Sequence, residues 1–479
     1  MYLGNSMTFQ MESNLFRHLL RLPAEFFEKR HIGDIVARFG SLAPVQNLLA
    51  SGVMGAALDG LMAIGTLVFM LVYAPQLTFV VFGFLAISFL GQMLSFPYIK
   101  RLSEERIRAS AELQSYFLET IRSIRSIKMF VREEQRHAGW QNHFAGAMNL
   151  GVRLTRFGIF SGAGNSILSG SGNLLVLYLG ARSVIAGEMT LGMLFAFQAY
   201  RASFVASVTG VVNVFMSWRM VGLHLERLSD IARADAEEPE GKVALLPHRL
   251  RGNIVIENLR FRYGDNEPWV IDGLSMTVGA GERVAITGRS GGGKSTLMKL
   301  LLGLYPVEQG RILYDGRSIS QWGKRAVRTQ IGVVMQDDRL LSGSLAENIA
   351  FFDTEISFER VVVCAKLAAI HEEIEAMPMG YQSLVGDMGS ALSAGQIQRL
   401  LLARALYPDP AILMLDEGTA NLDSESERSI VNALEKLNLT QIIIAHREQA
   451  IAGANRTLNL IDGRFSAAPS QPDEPFPIS

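Results

Sequence analysis

A glycine-rich loop is the feature that most constrains how this chain can fold. Residues 288–296 read Gly-Arg-Ser-Gly-Gly-Gly-Lys-Ser-Thr, which fills every fixed position of the pattern G-x-x-x-x-G-K-[ST]. The apolar run at 283–287 predicts a buried strand before the loop, and residues 296–304 have helical spacing after it. A loop between a strand and a helix can direct backbone N–H groups and the positive end of the helix at a polyphosphate.

We therefore expect the whole loop to bind the phosphates of a nucleotide. Its members are Gly288, Arg289, Ser290, Gly291, Gly292, Gly293, Lys294, Ser295 and Thr296. Glycines are needed because a Cβ atom would keep the backbone from closing around the phosphates. Lys294 is placed to reach the β- and γ-phosphates, and the Ser295 hydroxyl is placed to ligate Mg²⁺. The alternative is a glycine-rich turn with a chance lysine, which the flanking strand and helix argue against.

Length and composition bound the architecture. A chain of 479 residues predicts two or three domains, and a net charge of −1 argues against a general nucleic-acid partner. Cys364 is the only cysteine, which excludes an internal disulfide and a cysteine metal cluster. Residues 1–10 lack the pattern of a cleavable signal, and the proline-rich residues 466–479 predict a disordered tail.

The first half contains four apolar segments long enough to cross a bilayer as helices. They cover residues 53–73, 77–97, 157–181 and 191–218. Glycines interrupt the third segment, and Arg201 in the fourth suggests a face turned toward the bundle interior or a cavity. Very apolar helices of a soluble core are the alternative, but four such helices are hard to bury in a chain of this size.

The basic residues predict the orientation and the domain limits. They are concentrated before the first span and between the second and third spans, so these segments are expected to face the cytosol. We predict a transmembrane domain at 1–231, a linker at 232–242 and a nucleotide-binding domain at 243–465. Asp59, near one end of the first span, is either a functional carboxylate or a side chain that reaches the headgroups or a neighbouring helix.

Short apolar strands alternate with helical stretches from residue 252 to 461, which predicts an α/β domain. The run at 411–417 reads Ala-Ile-Leu-Met-Leu-Asp-Glu, a buried strand that ends in two acids. Asp416 is placed to hold Mg²⁺, and Glu417 is the candidate general base that orients water. Ordinary surface charge is the alternative for this acidic pair.

The run Leu392-Ser393-Ala394-Gly395-Gln396, followed by Arg399, resembles the signature sequence of ATP-binding-cassette (ABC) proteins. The family usually has glycine where Ala394 stands, and alanine is small enough for the same turn. The resemblance implies that Ser393, Gly395 and Gln396 lie against the γ-phosphate held by an opposite subunit. A helix begins at this point, so its dipole would favour the anion.

Four further positions resemble the family's motifs in the family's order. Tyr263 resembles the aromatic residue that stacks on adenine, and Gln336 resembles the glutamine that touches Mg²⁺ and senses the membrane half. Asp423 resembles the acid of the loop that communicates across the dimer, and His446 resembles the switch histidine at the γ-phosphate. Each residue alone is more often structural, but together they cover the whole domain.

The resemblance extends into the first half and points to a subclass. Residues 20–39 and 119–134 resemble the cytosolic loops of ABC exporters, most closely the colicin V type of bacteriocin exporter. Such exporters normally have six spans, and this branch carries an amino-terminal peptidase. We expect this chain to lack the first two spans, because the resemblance begins inside what would be the second span or its cytosolic extension. We expect it to lack the peptidase as well, because its only cysteine, Cys364, lies in the ATP domain.

The resemblance implies an ATP hydrolase, with ATP and Mg²⁺, that drives export of a peptide or small protein across the bacterial inner membrane. The implied partners are a second half-transporter, expected to be a second copy of this chain, the exported peptide, and a periplasmic adaptor with an outer-membrane channel. The alternatives are a lipid or drug exporter, and a truncated membrane-anchored ATPase that transports nothing.

Overall fold

A computed structural model describes most of the chain, and the chain divides into two compact units. The described residues are 2–237, 249–385, 392–416, 424–435, 437, 439–445, 451 and 453–465. The units are Met1–Glu237 and Glu238–Ser479. The predicted tail at 466–479 and the second half of the predicted linker lie outside the described residues.

The described residues of the first unit form helices and short connections. In chain order the helices are α1 (Tyr2–Leu20), α2 (Ala24–Glu28), α3 (Ile32–Gly40), α4 (Leu42–Asn47), a π-helical turn (Leu48–Gly52), α5 (Val53–Tyr73), α6 (Pro75–Arg122), α7 (Ile124–Met129), α8 (Glu133–Ile185) and α9 (Leu191–Ala232).

Local sequence explains how the long helices begin and end. Ala74 separates α5 from α6 with an extended backbone, φ −157° and ψ 83°, because the residue before a proline is kept out of the helical region. Pro75 then occupies the first turn of α6, where a missing N–H does no harm. Thr190 caps α9 by accepting a 3.2 Å hydrogen bond from the Met193 N–H.

Among the described residues, three stretches of helix are long and apolar enough to cross a membrane: Ile32–Tyr73, Pro75–Arg122 and Leu191–Ala232. They contain the predicted spans at 53–73, 77–97 and 191–218. The predicted span at 157–181 lies within the continuous helix α8, which is not among the three. Its glycines, serines and two asparagines lower the hydropathy of that segment.

The first unit, called the membrane unit below, has an apolar core to which four helices contribute. Its buried members are Met70, Leu77, Val81, Val176, Met189, Leu194, Phe197 and Phe204. Glycines allow the helices to approach closely: a Cβ at Gly172 would meet the Phe84 ring at 2.9 Å. A Cβ at Gly210 would meet Asp59. Asp59 therefore packs against α9, which is the neighbouring-helix alternative considered for this carboxylate.

The second unit contains three sheets in its described part. The strands are β1 (Ile254–Phe261), β2 (Ile271–Val278), β3 (Arg283–Thr287), β4 (Gln309–Tyr314), β5 (Arg317–Ser318), β6 (Ile331–Val334), β7 (Gly343–Ser344), β8 (Leu384–Val385), β9 (Ile412–Asp416), β10 (Thr440–Ile444), β11 (Arg456–Ile461) and β12 (Arg464–Phe465). The central sheet has the order β12-β11-β3-β10-β9-β6, and an antiparallel sheet has the order β2-β1-β4-β5. Strands β7 and β8 form a two-stranded sheet.

Eight α-helices and one 3₁₀ turn accompany the described strands. They are α10 (Lys294–Leu301), α11 (Ile319–Trp322), α12 (Lys324–Arg328), α13 (Leu345–Ala350), α14 (Phe358–Leu367), α15 (His371–Glu375), the 3₁₀ turn (Gly380–Gln382), α16 (Ala394–Leu406) and α17 (Ser424–Glu435).

Two apolar cores support opposite parts of this unit. Helix α10 contributes Leu297 and Met298 to a core shared with β1 to β4, whereas α16 contributes Leu400 and Leu401 to a second core. Cys364 lies in the second core, 3% exposed, and burial raises the pKa of its thiol to about 11. The thiol therefore stays protonated at neutral pH and packs as a small apolar group.

A glycine sets the distance between the central sheet and α16. Gly332 lies in β6, and a Cβ built there would come within 2.3 Å of the Ala405 carbonyl oxygen and 3.0 Å of Pro410. Backbone atoms cannot move aside as a flexible side chain would. Only glycine lets the carboxyl end of α16 pack this closely on β6.

We predict that Gly332→Ala lowers the free energy of unfolding of this unit by about 1–3 kcal/mol, since the added methyl group overpacks the contact. Thermal unfolding of the purified protein, followed by intrinsic fluorescence, measures the change. Gly264→Ala is the matched control, because a Cβ there meets nothing closer than 3.5 Å. Equal melting temperatures for the two variants would contradict the prediction.

Candidate functional site

Four parallel strands bring the predicted nucleotide-handling residues to one edge of the central sheet. Strands β3, β10, β9 and β6 are neighbours and run in the same direction. Their carboxyl ends therefore share one edge, where ligands of α/β sheets bind. The glycine-rich loop follows β3, Asp416 ends β9, and Gln336 lies two residues beyond β6. Glu417, Asp423 and His446 lie outside the described residues.

The glycine-rich loop has the backbone that its glycines permit. Gly291 and Gly293 have φ of 79° and 91°, in the left-handed region. A Cβ at Gly288 would come within 2.2 Å of the Leu460 carbonyl oxygen, and one at Gly293 within 2.8 Å of the Val270 carbonyl oxygen. Side chains at these two positions would push the loop away from the strands that hold it.

The first turn of α10 faces the loop with its backbone donors uncapped. Gly293 stands at the cap position, and no side chain there accepts from the helix. Lys294 is 7% exposed, and its Nζ donates to the carbonyl oxygens of Gly288 and Arg289 at 2.9 and 2.8 Å. The ammonium is thus held over the loop, where it can exchange these carbonyls for phosphate oxygens.

Tyr263, two residues beyond the end of β1, is hydrogen-bonded to helix α10. The Tyr263 hydroxyl and the Thr296 hydroxyl are 2.9 Å apart. The Tyr263 ring packs edge-on against Phe261 and Tyr305, with centroids 5.1 and 5.3 Å away. These contacts fix the ring beside the phosphate loop, which is the place where an adenine would need a stacking partner.

The metal-ligand candidates supply oxygen atoms of the kind Mg²⁺ prefers. Ser295 offers a hydroxyl from the second residue of α10, and Asp416 offers a carboxylate that is 3% exposed at the end of β9. Gln336 is exposed just beyond β6 and offers an amide oxygen. The donor set of this edge therefore fits a hard divalent cation.

The predicted signature segment forms the start of α16. Ser393 is its N-cap: the hydroxyl accepts from the Gln396 N–H at 3.2 Å, and the Gln396 side chain accepts from the Ser393 N–H at 2.8 Å. Ser393 and Ala394 are exposed, and Gly395 follows in the first turn. The reciprocal cap therefore holds an exposed helix amino terminus in a defined direction.

Glu373 of α15 anchors this terminus, and the sequence analysis missed it. Its carboxylate accepts from the Gln396 side chain at 2.8 Å and from Arg399 at 2.5 Å. Arg399 is 8% exposed, so this charge-assisted pair is partly shielded from water. No sequence pattern singles out Glu373 from its neighbours Glu372 and Glu375, because only the packing of α15 on α16 selects one of them.

The membrane unit contains a separate, partly open cavity of about 670 Å³. Helices α4, α6, α8 and α9 line it with apolar walls and spaced polar groups, among them Asn47, Gln92, Ser161, Asn213 and Ser217. A mixture of apolar surface and dispersed hydrogen-bonding groups is typical of a ligand cavity.

Two family models match the chain. Residues 1–208 match the ABC transporter transmembrane region, and residues 271–420 match the ABC transporter family. The fold also matches a bacterial Atm1-family ABC exporter solved with ATP bound, with a TM-score of 0.89 over 97% of this chain and 82% of that one, at 24% identity. The predicted fold class, a helical membrane domain followed by an α/β ATP-binding cassette, is confirmed.

Curated relatives are secretion proteins of bacteria. The chain is 40% identical over 451 residues to the probable microcin-H47 secretion/processing ATP-binding protein and to the colicin V secretion/processing ATP-binding protein, both of Escherichia coli. It is 35% identical over 458 residues to the leukotoxin translocation ATP-binding protein of Mannheimia haemolytica. These matches cover 94–95% of this chain but only 64–65% of each relative.

The phosphate loop, the capped signature helix and the apolar helical unit thus occur in one chain together with both family matches. The chain belongs to the ABC transporter family and combines a membrane domain of the exporter type with an ATP-binding cassette.

Proposed function

We propose that this chain is one half of an exporter that uses ATP hydrolysis to move a peptide or small protein out of the cytosol across the bacterial inner membrane. The observation that carries the proposal is the exposed, capped start of α16 in a unit whose phosphate loop lies on the other core. A signature terminus at the surface can complete an ATP site only for a second cassette.

The expected assembly is a pair of chains, most simply two copies of this one. In a symmetric pair each phosphate loop faces the partner's signature terminus, so two ATP molecules lie in the interface. Ser393, Gly395 and Gln396 then present the positive end of α16 to the γ-phosphate. Closure of the pair depends on ATP because the triphosphate bridges the two surfaces.

In this proposal, different residues of one cassette bind the adenine, the phosphates and the metal ion. Tyr263 stacks on the adenine, while the loop from Gly288 to Thr296 and the Lys294 ammonium hold the phosphates. Ser295, Gln336 and Asp416 would hold a Mg²⁺ ion, which neutralises phosphate charge when bound. These groups position the nucleotide and stabilise the charge that develops as the terminal phosphate leaves.

Hydrolysis needs a base beside the γ-phosphate. Glu417 follows the buried Asp416 directly in sequence and is the proposed general base for water. His446 is the proposed contact to the γ-phosphate, and Asp423 belongs to the loop expected to link the two cassettes. ADP release then reopens the pair, and the cytosolic loops of the membrane domain convert closure and opening into motion of the spans.

A peptide cargo is favoured by the membrane cavity together with the relatives. Its volume of about 670 Å³ lies in the range of ligand pockets. An extended peptide needs hydrogen-bond partners along its backbone, and the spaced amide and hydroxyl groups of the cavity can supply them. The relatives are named for secretion of microcin, colicin V and leukotoxin. A periplasmic adaptor and an outer-membrane channel are proposed as further partners.

We predict that Glu417→Gln slows ATP hydrolysis about 100-fold or more, because general-base assistance is lost, while ATP binding persists. The variant should form a stable dimer in Mg²⁺ and ATP, as measured by phosphate release and size-exclusion chromatography. Glu355→Gln, at an exposed position, is the control and should behave as wild type. Normal hydrolysis by Glu417→Gln would show that another group is the base.

We also predict that Glu373→Ala lowers the rate of ATP hydrolysis about tenfold, since charge-assisted bonds that aim the signature helix are lost. Binding of ATP to the phosphate loop should remain unchanged. The control is Glu372→Ala, which removes an exposed acid from the same helix. Parallel loss of ATP affinity would point to a folding defect rather than to misdirection of α16.

A third prediction concerns the cargo. The protein is reconstituted in vesicles with its ATP-binding cassettes facing outward. A synthetic leader-bearing peptide should then accumulate inside the vesicles only when ATP is present, because the cassettes must close to switch access to the cavity. The Lys294→Ala variant should abolish both hydrolysis and accumulation. Steady hydrolysis by the wild-type protein without peptide movement would argue against peptide export, and movement of lipid instead would support the lipid-exporter alternative.

A further inference from the structure

A second, smaller pocket lies inside the membrane unit and contains a positive charge. It has a volume of about 40 Å³ and lies where α6, α8 and α9 meet. Its polar lining is Ser88, Asn165, Ser169, Arg201 and Thr209. The Ser88 hydroxyl is hydrogen-bonded to the Asn165 side chain, so two helices are joined by polar groups at this level.

Arg201 uses few of its donors within the described first unit. Its Nε donates to the Gln198 side chain at 2.9 Å, whereas a guanidinium has five N–H donors. Across residues 2–237 it makes no ion pair, and none of the described residues that line the pocket is acidic. The guanidinium therefore keeps donors for a further acceptor.

Asp59, the carboxylate of the first span, is not that acceptor. It packs against Gly210, nine residues beyond Arg201 on α9. Nine residues correspond to about 13.5 Å of helix rise and to two and a half turns, so the two positions lie on opposite sides of α9. The pocket and the carboxylate consequently occupy different helix faces.

A cation within a membrane-spanning helix is energetically costly unless a polar environment and a counter-charge stabilise it. Charged side chains inside membrane helices face bundle interiors or cavities and mark ligand pathways. Here the hydroxyl and amide groups supply the polar environment, while no described lining residue supplies the counter-charge.

A third cavity lies between the pocket and the large cavity. An intermediate cavity of about 250 Å³ shares Ser88 and Thr209 with the Arg201 pocket and shares Gln92 with the large cavity. The three cavities are therefore neighbours along α6 and α9, and the Arg201 pocket lies on the same two helices as the large cavity.

We propose that Arg201, with Asn165, binds a carboxylate of the exported molecule. The planar guanidinium accommodates both oxygens of a carboxylate. The Ser88 hydroxyl donates to the Asn165 side-chain oxygen, which leaves the Asn165 NH2 group as a further donor. The inference rests on the proposed export function and narrows the cargo to peptides with an acidic side chain or a free carboxyl terminus at the segment that enters the pocket. A carboxyl-bearing lipid offers the same chemistry and is separated by the experiment.

The experiment uses the full chain in phosphatidylcholine nanodiscs and two labelled apolar peptides of identical sequence, one with a free carboxyl terminus and one amidated. Fluorescence anisotropy measures both dissociation constants. Wild type should bind the free acid about tenfold or more tightly than the amide. Arg201→Gln should lose this preference, whereas Arg201→Lys should keep part of it because the charge remains.

Arg182→Gln is the matched control, since Arg182 is an exposed arginine near the end of α8. It should retain the wild-type preference, and basal ATP hydrolysis should show that each variant is folded. Equal affinity of the wild type for acid and amide would overturn the carboxylate site and leave peptide export standing. Binding of neither peptide would overturn the peptide assignment and the site with it.

A last arm separates the two sources of the carboxylate. Phosphatidylserine is added to the nanodiscs, and the acid-over-amide preference is measured again. A preserved preference assigns the site to the peptide. Loss of the preference in wild type, without any change in the affinity of Arg201→Gln, assigns the carboxylate site to the lipid headgroup and overturns its assignment to the cargo.

Discussion

The common direction of β3, β10, β9 and β6 is the constraint on which the cassette depends. Parallel strands place every following loop at one edge, so residues more than 100 positions apart in sequence converge there. The phosphate loop, Asp416 and Gln336 are far apart along the chain. They meet because the order of the strands in the sheet differs from their order in the sequence. Without that order the motifs would remain scattered.

The role proposed for α16 requires that the helix keep a fixed direction. A helix dipole stabilises an anion only within the first turn, so a small tilt of the helix would weaken its effect on a phosphate. Ser393 and Gln396 cap each other, Glu373 holds Gln396 and Arg399, and Gly332 lets the other end of α16 approach β6. The helix is thus fixed at both ends.

The membrane unit is held together by helix packing rather than by a sheet. Its helices meet through glycines and apolar side chains, and some of its polar groups line cavities between the helices. Gly172 admits the Phe84 ring between α6 and α8, and the Arg201 pocket lies beside this contact. Close packing at one level therefore leaves room for hydrogen-bonding groups at the next.

The sequence alone determined which chemical groups this protein carries more fully than it determined how those groups are arranged in space. The glycine-rich loop, the acidic pair at 416–417, the signature run and the apolar segments were recognisable because phosphate binding and membrane crossing require particular residue types at fixed spacing. The predicted spans at 53–73 and 77–97 also left a gap where α5 ends and α6 begins, and Pro75 accounts for this break by acting on its immediate neighbour. The segment at 157–181 gave a weaker signal because its glycines and asparagines dilute an apolar helix.

Only the tertiary structure decided which polar residues meet. Glu373, rather than Glu372 or Glu375, holds the signature helix because α15 packs on α16 in one orientation. Tyr263 reaches Thr296 and Asp59 lies on Gly210 for the same reason. Arg201 lines one pocket with Ser88 and Asn165, whereas Asp59 packs at Gly210 on another side of α9. Side-chain contacts between distant segments depend on helix rotation and strand order, and no local spacing rule contains either of them.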